Sequence, residues 1–284
     1  MEIIPPPPLA YRASLAFFLQ EDWGAGDWST NAVPGHNASA TVTAKSDLVL
    51  AGMPIAKELF QLADPDIVAE MYAKDGDRAP KGCGIMKLKG PCRSILMAER
   101  VMLNLLQRLS GTATLTRQFV DAVEGTGAKI LDTRKTTPGL KILEKYAVRC
   151  GGGFNHRVNL ADGILIKENH IAAAGGITQA VEAARLSSPL LLRIEVEVET
   201  LGQLAECLAI TGIDGALLDN MDNRTMEKAV AMRNASGRAF FLEASGGLTL
   251  QRVRAAAETG VDFISVGALT HSAPAADLSL RIQA

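Results

Sequence analysis

The sequence predicts an α/β protein in which a smaller mixed domain precedes an α/β barrel. Three observations carry this expectation. From about residue 129 onward, short apolar runs of strand length alternate with stretches of helical period. Such strand–helix repetition builds a parallel sheet with crossover helices, and no glycine-rich nucleotide turn follows the first run, which favours a barrel over an open doubly wound sheet. Five of the six runs end on charged residues, as expected of a barrel whose chemistry sits where its strands end.

The elements follow in order. MEIIPPPPLA carries no basic leader, and Pro5–Pro8 favours an extended tail before the first helix. The apolar run at 15–19 meets Glu21 and Asp22 at once, too short for a signal core or a membrane span. Residues 41–50 alternate like an antiparallel strand, 55–62 have helical period, and 67–72 read as a strand before the turn Asp75-Gly76-Asp77. Residues 86–89 fit either state. Ser94 is placed to cap a helix over 95–109 that closes at Ser110-Gly111, and a second helix is expected at 115–123. These segments define a mixed α+β domain over residues 1–112, and the barrel takes 113–274. Its strands are expected at 129–132, 163–167, 190–198, 215–219, 239–243 and 261–266. Its helices are expected at 140–149, 177–186, 201–210, 225–234 and 250–258, most ending near a Gly or Ser such as Gly212, Ser236 or Gly260. A last strand at 277–282 lies in a segment, 275–284, expected to rejoin the first domain.

Composition narrows the function. With 284 residues, 48% apolar and 21% charged, the chain is an ordinary globular one. A net charge of −2 argues against a broad nucleic-acid surface. Cys83, Cys92, Cys150 and Cys207 form no CxxC pair, so neither zinc nor a redox pair is expected, and a cytoplasmic location is.

Against that slightly acidic background, residues 132–170 hold seven cations: Arg134, Lys135, Lys141, Lys145, Arg149, Arg157 and Lys167. His156 and His170 join them, with four acids, Asp132, Glu144, Asp162 and Glu168. Cations set among Gly, Thr and Asn suit a small, multiply charged anion. Arg134-Lys135 follow a strand, and Pro138 holds the next loop extended, so the pair can clamp a carboxylate or phosphate. A solvated turn is the plainer alternative. Gly151-Gly152-Gly153 permit close backbone approach before Asn155-His156-Arg157, though one of the glycines is expected merely to cap the preceding helix. Lys167 closes an apolar strand and needs a partner, Glu197, Asp219 or a ligand. Alternation puts Arg193, Glu195, Glu197 and Glu199 on one face of their strand. Glu197, with Asp219, is favoured near the site, where two carboxylates can serve a divalent metal or sugar hydroxyls. Ser245-Gly246-Gly247 and Gly267-Ala268 follow the last two strands and can offer amides to a phosphate.

DTRKTTPGLKILEKYAVRCGGGFNHR followed by LIKENHI resembles the quinolinate phosphoribosyltransferase family. Supporting stretches are EDWGAGDWST, ERVMLNLLQRLSGTAT, IEVEVE, LLDNM, EASGG and SVGALTHSAPAADLSL, so the likeness covers nearly the whole chain. Thr112 and Asn159 depart from the family pattern without touching a charged position. The resemblance implies an N-terminal α/β sandwich-like domain, a C-terminal open α/β barrel, and a homodimer or larger assembly with shared active sites. It implies phosphoribosyl transfer from phosphoribosyl pyrophosphate to quinolinate with Mg²⁺, releasing CO₂, in NAD biosynthesis. Carried over, Arg134, Lys135, His156, Arg157 and Lys167 hold the quinolinate carboxylates, Thr133 helps, and Arg100 comes from the partner subunit. Glu197 and Asp219 face the ribose and Mg²⁺, directly or through water. Lys135, Lys167, Glu197 and Asp219 form the catalytic set. Ser245, Gly246, Gly247, Gly267 and Ala268 hold the 5′-phosphate. Three alternatives remain at this point: a molybdenum-transport-associated paralogue, a barrel enzyme using Lys167 as a Schiff-base amine, and a non-catalytic phosphosugar binder. No nucleic-acid or membrane partner is expected.

Overall fold

The computed structural model describes residues 3–33 and 35–283. It divides into two compact units. The first comprises residues up to Arg117, Lys135–Gly152 and residues from Ala268 onward, and the second comprises Gln118–Arg134 and Gly153–Gly267. Besides the expected C-terminal segment, the first unit takes in the basic loop and helix over 135–152.

The first unit is built on a four-stranded antiparallel sheet in the order Leu278–Gln283, Asn37–Ala44, Gly84–Pro91, Val68–Met71. Alternation sets its faces, since Ala40, Val42 and Ala44 are buried while Thr41 and Thr43 are half-buried. The helix Met53–Ala63 adds Ile55, Leu59 and Phe60 to the core, and Arg12–Trp23 adds Leu15 and Leu19. The strand expected over 41–50 is two shorter ones, Asn37–Ala44 and Leu48–Val49, the second pairing with Arg78–Ala79.

The two helices expected at 95–109 and 115–123 are one, Cys92–Ala122. Ser94 is no cap, because its hydroxyl donates to Asp64 Oδ2 at 2.5 Å. Gly111 does not stop the helix either. A Cβ there would stand 2.0 Å from the carbonyl oxygen of Pro274, so the glycine admits a passing backbone.

The second unit holds six parallel strands in the order Lys129–Leu131, Phe263–Ser265, Phe241–Ser245, Gly215–Asp219, Ile194–Val198, Ile164–Ile166. From Ile194–Val198 onward each strand adds beside its predecessor, and the last, Phe263–Ser265, pairs with the first, Lys129–Leu131. Leu131 also bridges Phe154 on the far side. Among the described residues no ladder joins Phe154 to Ile164–Ile166, so the barrel is open at that seam. Helices Ile177–Ser187, Leu201–Ala209, Asn223–Ala235 and Leu250–Glu258 cross between the later strands. Two of them start on side-chain caps, Thr200 accepting from Gln203 N and Asp222 from Thr225 N.

Candidate active site

The barrel strands expose alternate side chains to the interior, and position along each strand sets their depth. At the closing ends, Glu197, Asp219 and Ser245 are half-buried. Deeper in, Glu195 and Glu243 are buried, the latter 1% exposed. The expectation that Glu243 ends its strand fails. The strand is Phe241–Ser245, shifted two residues, and Glu243 lies at its middle.

Asp132 follows the first strand and is fully buried. It accepts a hydrogen bond from His156 N at 2.9 Å and from Asn155 Nδ2 at 2.5 Å. The first acid of the basic stretch thus anchors the return that carries His156 and Arg157. The glycines before that return act locally. A Cβ on Gly151 would stand 2.5 Å from Ala113 O, and Gly152 has φ +90° in a left-handed turn. Gly151 is also the cap residue of the helix Lys141–Cys150, so the capping alternative holds for it.

His156 Nε2 lies 3.1 Å from Glu195 Oε2 and 3.6 Å from Glu243 Oε2. Burial pushes the Glu243 carboxyl well above its usual range, and the neighbouring charge of Glu195 pushes it further. Arg157 donates from Nη1 to Gly163 O at 2.8 Å. Its guanidinium is held below its usual value first by burial and then by the charge of Arg134. Two guanidiniums that repel each other at strand ends are relieved by a bound anion, and the planar fork of each suits a carboxylate.

Lys167 directly follows Ile164–Ile166 and opens the helix Glu168–Ala174. Its Nζ meets Glu197 Oε2 at 2.8 Å, so of the partners foreseen Glu197 is the one the structure provides. Asp219 Oδ2 accepts from Asn220 Nδ2 at 2.8 Å. Asn220 is held at φ +54°, and Gly246 makes room for it, since a Cβ on Gly246 would sit 2.1 Å from Asn220 Oδ1. Gly246 therefore has a structural reason for being glycine beside any ligand role. Gly247, at φ +56°, presents its carbonyl to Arg252 Nη1 at 3.1 Å.

The barrel unit thus contains Thr133, Arg134, His156, Arg157, Lys167, Glu197, Asp219, Ser245, Gly246, Gly247 and Gly267. Arg100, Lys135 and Ala268 belong to the first unit. Arg100 and Lys135 are exposed, and Ala268 opens the short helix Ala268–His271. Sequence reasoning gave no role to Asp132 and passed over Glu195 and Glu243 as site residues. The alternation of Glu195 with Glu197 was the available signal; the structure buries Glu195 and leaves Glu197 half-buried.

Family models match both parts of the chain. The model for the quinolinate phosphoribosyl transferase N-terminal domain matches residues 27–110, and that for the C-terminal domain matches 112–281. The chain belongs to the quinolinate phosphoribosyltransferase family. Within that family it is 45% identical over 275 residues to a probable nicotinate-nucleotide pyrophosphorylase [carboxylating] of Bacillus subtilis, covering 96% of this chain and 94% of the relative. It is 40% identical over 304 residues to a mitochondrial quinolinate phosphoribosyltransferase [decarboxylating] of Nicotiana tabacum, covering 99% and 85%. The solved nicotinate-nucleotide pyrophosphorylase of Francisella tularensis superposes with a TM-score of 0.93 at 40% identity, over 100% of this chain and 99% of that one. Departures from the family pattern are local. Asn159 Oδ1 accepts from Ala161 N at 2.8 Å, and Thr112 is buried within the helix Cys92–Ala122.

Proposed function

We propose that this chain joins quinolinate to the ribose of phosphoribosyl pyrophosphate and decarboxylates the adduct, yielding nicotinate mononucleotide, pyrophosphate and CO₂ for NAD biosynthesis. The observation that carries the reading is the Arg134–Arg157 pair at the strand ends, a ready site for a dicarboxylate, on a chain whose relatives are named for this reaction. Quinolinate and the sugar diphosphate are both anionic, and fixed cations remove the repulsion between them. Arg134, Arg157, His156 and Lys167 hold the dicarboxylate, with Thr133 and Lys135 assisting. Loss of pyrophosphate leaves an oxocarbenium-like ribose that Glu197 and Asp219 stabilise. Ser245, Gly246, Gly247, Gly267 and Ala268 receive the 5′-phosphate.

Glu197 and Asp219 fit Mg²⁺. Each is an oxygen donor on the half-buried rim, one carboxylate oxygen of each accepts from a side chain, Lys167 Nζ for Glu197 and Asn220 Nδ2 for Asp219, and Mg²⁺ takes one or two carboxylates beside water and phosphate. Bound there, Mg²⁺ would neutralise charge on the departing pyrophosphate. The residues of this chain position both substrates. Lys167 is half exposed and salt-bridged, an environment for a charge contact rather than for a Schiff-base amine. We further propose a cytoplasmic homodimer in which Arg100 reaches the partner's site. Among the described residues no helix is long and apolar enough to cross a membrane.

Quinolinate, phosphoribosyl pyrophosphate and Mg²⁺ should yield equal amounts of CO₂ and nicotinate mononucleotide; binding without CO₂ release would leave only a phosphosugar binder. Lys167→Ala should lower turnover about 10²–10³-fold, the loss typical of one preorganised electrostatic contact. Mixing inactive Arg100→Ala and Lys167→Ala subunits should restore part of the activity, and verified heterodimers that stay inactive would refute the shared site.

A further inference from the structure

A cavity of about 280 Å³ inside the second unit runs from the first residues of several strands to His156 and Arg157 of the candidate site. Its walls include Ile164, Phe241 and Phe263, each the first residue of its strand, together with Phe154 and the exposed Arg193. Its inner end is formed by His156, Glu195 and Glu243. These three therefore stand between the cavity and the strand ends that carry Glu197, Asp219 and Lys167.

Glu195 Oε1 and Glu243 Oε1 are buried and make no hydrogen bond to another protein group. The cavity has room for water, the natural partner of a buried carboxyl oxygen on its wall. The remaining oxygens converge on His156 Nε2, at 3.1 Å and 3.6 Å. Carboxyl and imidazole thus form the inner part of a row of proton-carrying groups that cavity water would complete.

Resting on the reaction proposed above, we infer that Glu243 passes a proton from this cavity to His156, which delivers it to the substrate carbon vacated by CO₂. The balance is simple. The bond from pyridine C2 to its carboxyl carbon breaks, the electron pair stays on C2 beside the cationic ring nitrogen, and CO₂ leaves. As CO₂ departs, a C2–H bond forms in the same step with the proton of the His156 imidazolium, so that C–C cleavage waits on the proton. Glu243 reloads the imidazole, and cavity water reloads Glu243. One proton is consumed and nothing is oxidised or reduced.

The surroundings of Glu243 favour the protonated acid that such a donor must be. Burial and the charges of Glu195 and Asp132 raise its carboxyl. His156 opposes them, as does the Ser265 hydroxyl, which is near but outside hydrogen-bond geometry. Arg157 and Arg193 are the other charged groups on the cavity wall. Glu243 acts through His156 and touches no substrate, so its loss should separate the two chemical steps.

The test follows pyrophosphate and CO₂ separately in single turnovers of the Mg²⁺-loaded enzyme with both substrates. Glu243→Gln keeps the shape but cannot pass a proton. CO₂ release should fall about 10²-fold, the low end of what a general acid contributes, with far less change in pyrophosphate release. The undecarboxylated mononucleotide should accumulate, and Glu243→Asp should recover part of the loss. Parallel loss of both products, or equal loss in both variants, overturns the proton route. Should Glu243→Gln fail to fold, the wild type in D₂O decides. Slower appearance of nicotinate mononucleotide relative to pyrophosphate supports the route, and equal slowing of both overturns it. A wild type that releases no CO₂ at all would instead overturn the functional reading itself.

Discussion

Glu195 and Glu197 stand two residues apart on one strand and face the same side, yet they occupy different media. Glu197 is at the rim, paired with a half-exposed Lys167. Glu195 is buried among Glu243, His156 and the cavity wall. Two residues of strand are about 6.6 Å. Over that distance the barrel passes from a rim where charge meets substrate to an interior where charge must be matched by a proton or a partner. Rim groups should therefore govern rate, and interior groups stability and proton balance.

The largest effect tests the rim. Glu197→Ala should lower turnover about 10²–10³-fold while the unfolding temperature by calorimetry barely moves. An equal fall in stability would erase the distinction. Next comes the interior. Asp132→Ala removes one buried acceptor from the His156 amide and one from the Asn155 side chain, and should cost about 2–3 kcal/mol in urea denaturation. A loss no larger than that of Glu197→Ala would place Asp132 with the rim.

The smallest effect is a slope. The folded protein keeps Glu243 protonated above the unfolded value, so folding binds a proton between about pH 4.5 and 8. This contribution is complete below the lower value and is lost as pH rises through the upper one. Wild-type stability should fall relative to Glu243→Gln by at most about 1.4 kcal/mol per pH unit in that window. Parallel stability curves for the two proteins would show that the carboxyl is ionised in the interior.

The barrel was legible because its signal repeats. Each strand–helix unit must bury one strand and one helical stripe, and the strand at 215–219 and the helix at 250–258 sit where periodicity places them. Errors arose where distant packing decides. Leu190 and Leu191 are apolar enough for a strand, but they are exposed and the ladder begins at Ile194. Ser110-Gly111 spells a helix stop, yet Pro274 passes there, a neighbour more than 160 positions away. At the site, residue types and strand ends were readable. Depth was not, and depth is what separates Glu195 from Glu197 and gives Asp132 its role as an anchor.

The pairing of Asn37–Ala44 with Leu278–Gln283 has a consequence for biosynthesis. Thr41 finds its partner in Arg281, so one edge of the first sheet is missing until nearly the whole polypeptide has left the ribosome. The central strands of that sheet emerge early and wait, with an unpaired edge open to other chains. The barrel strands, complete at Ser265, can meanwhile assemble in order of synthesis. A nascent chain arrested shortly before Leu278 should thus carry a protease-resistant second unit and a first unit that still needs chaperone protection.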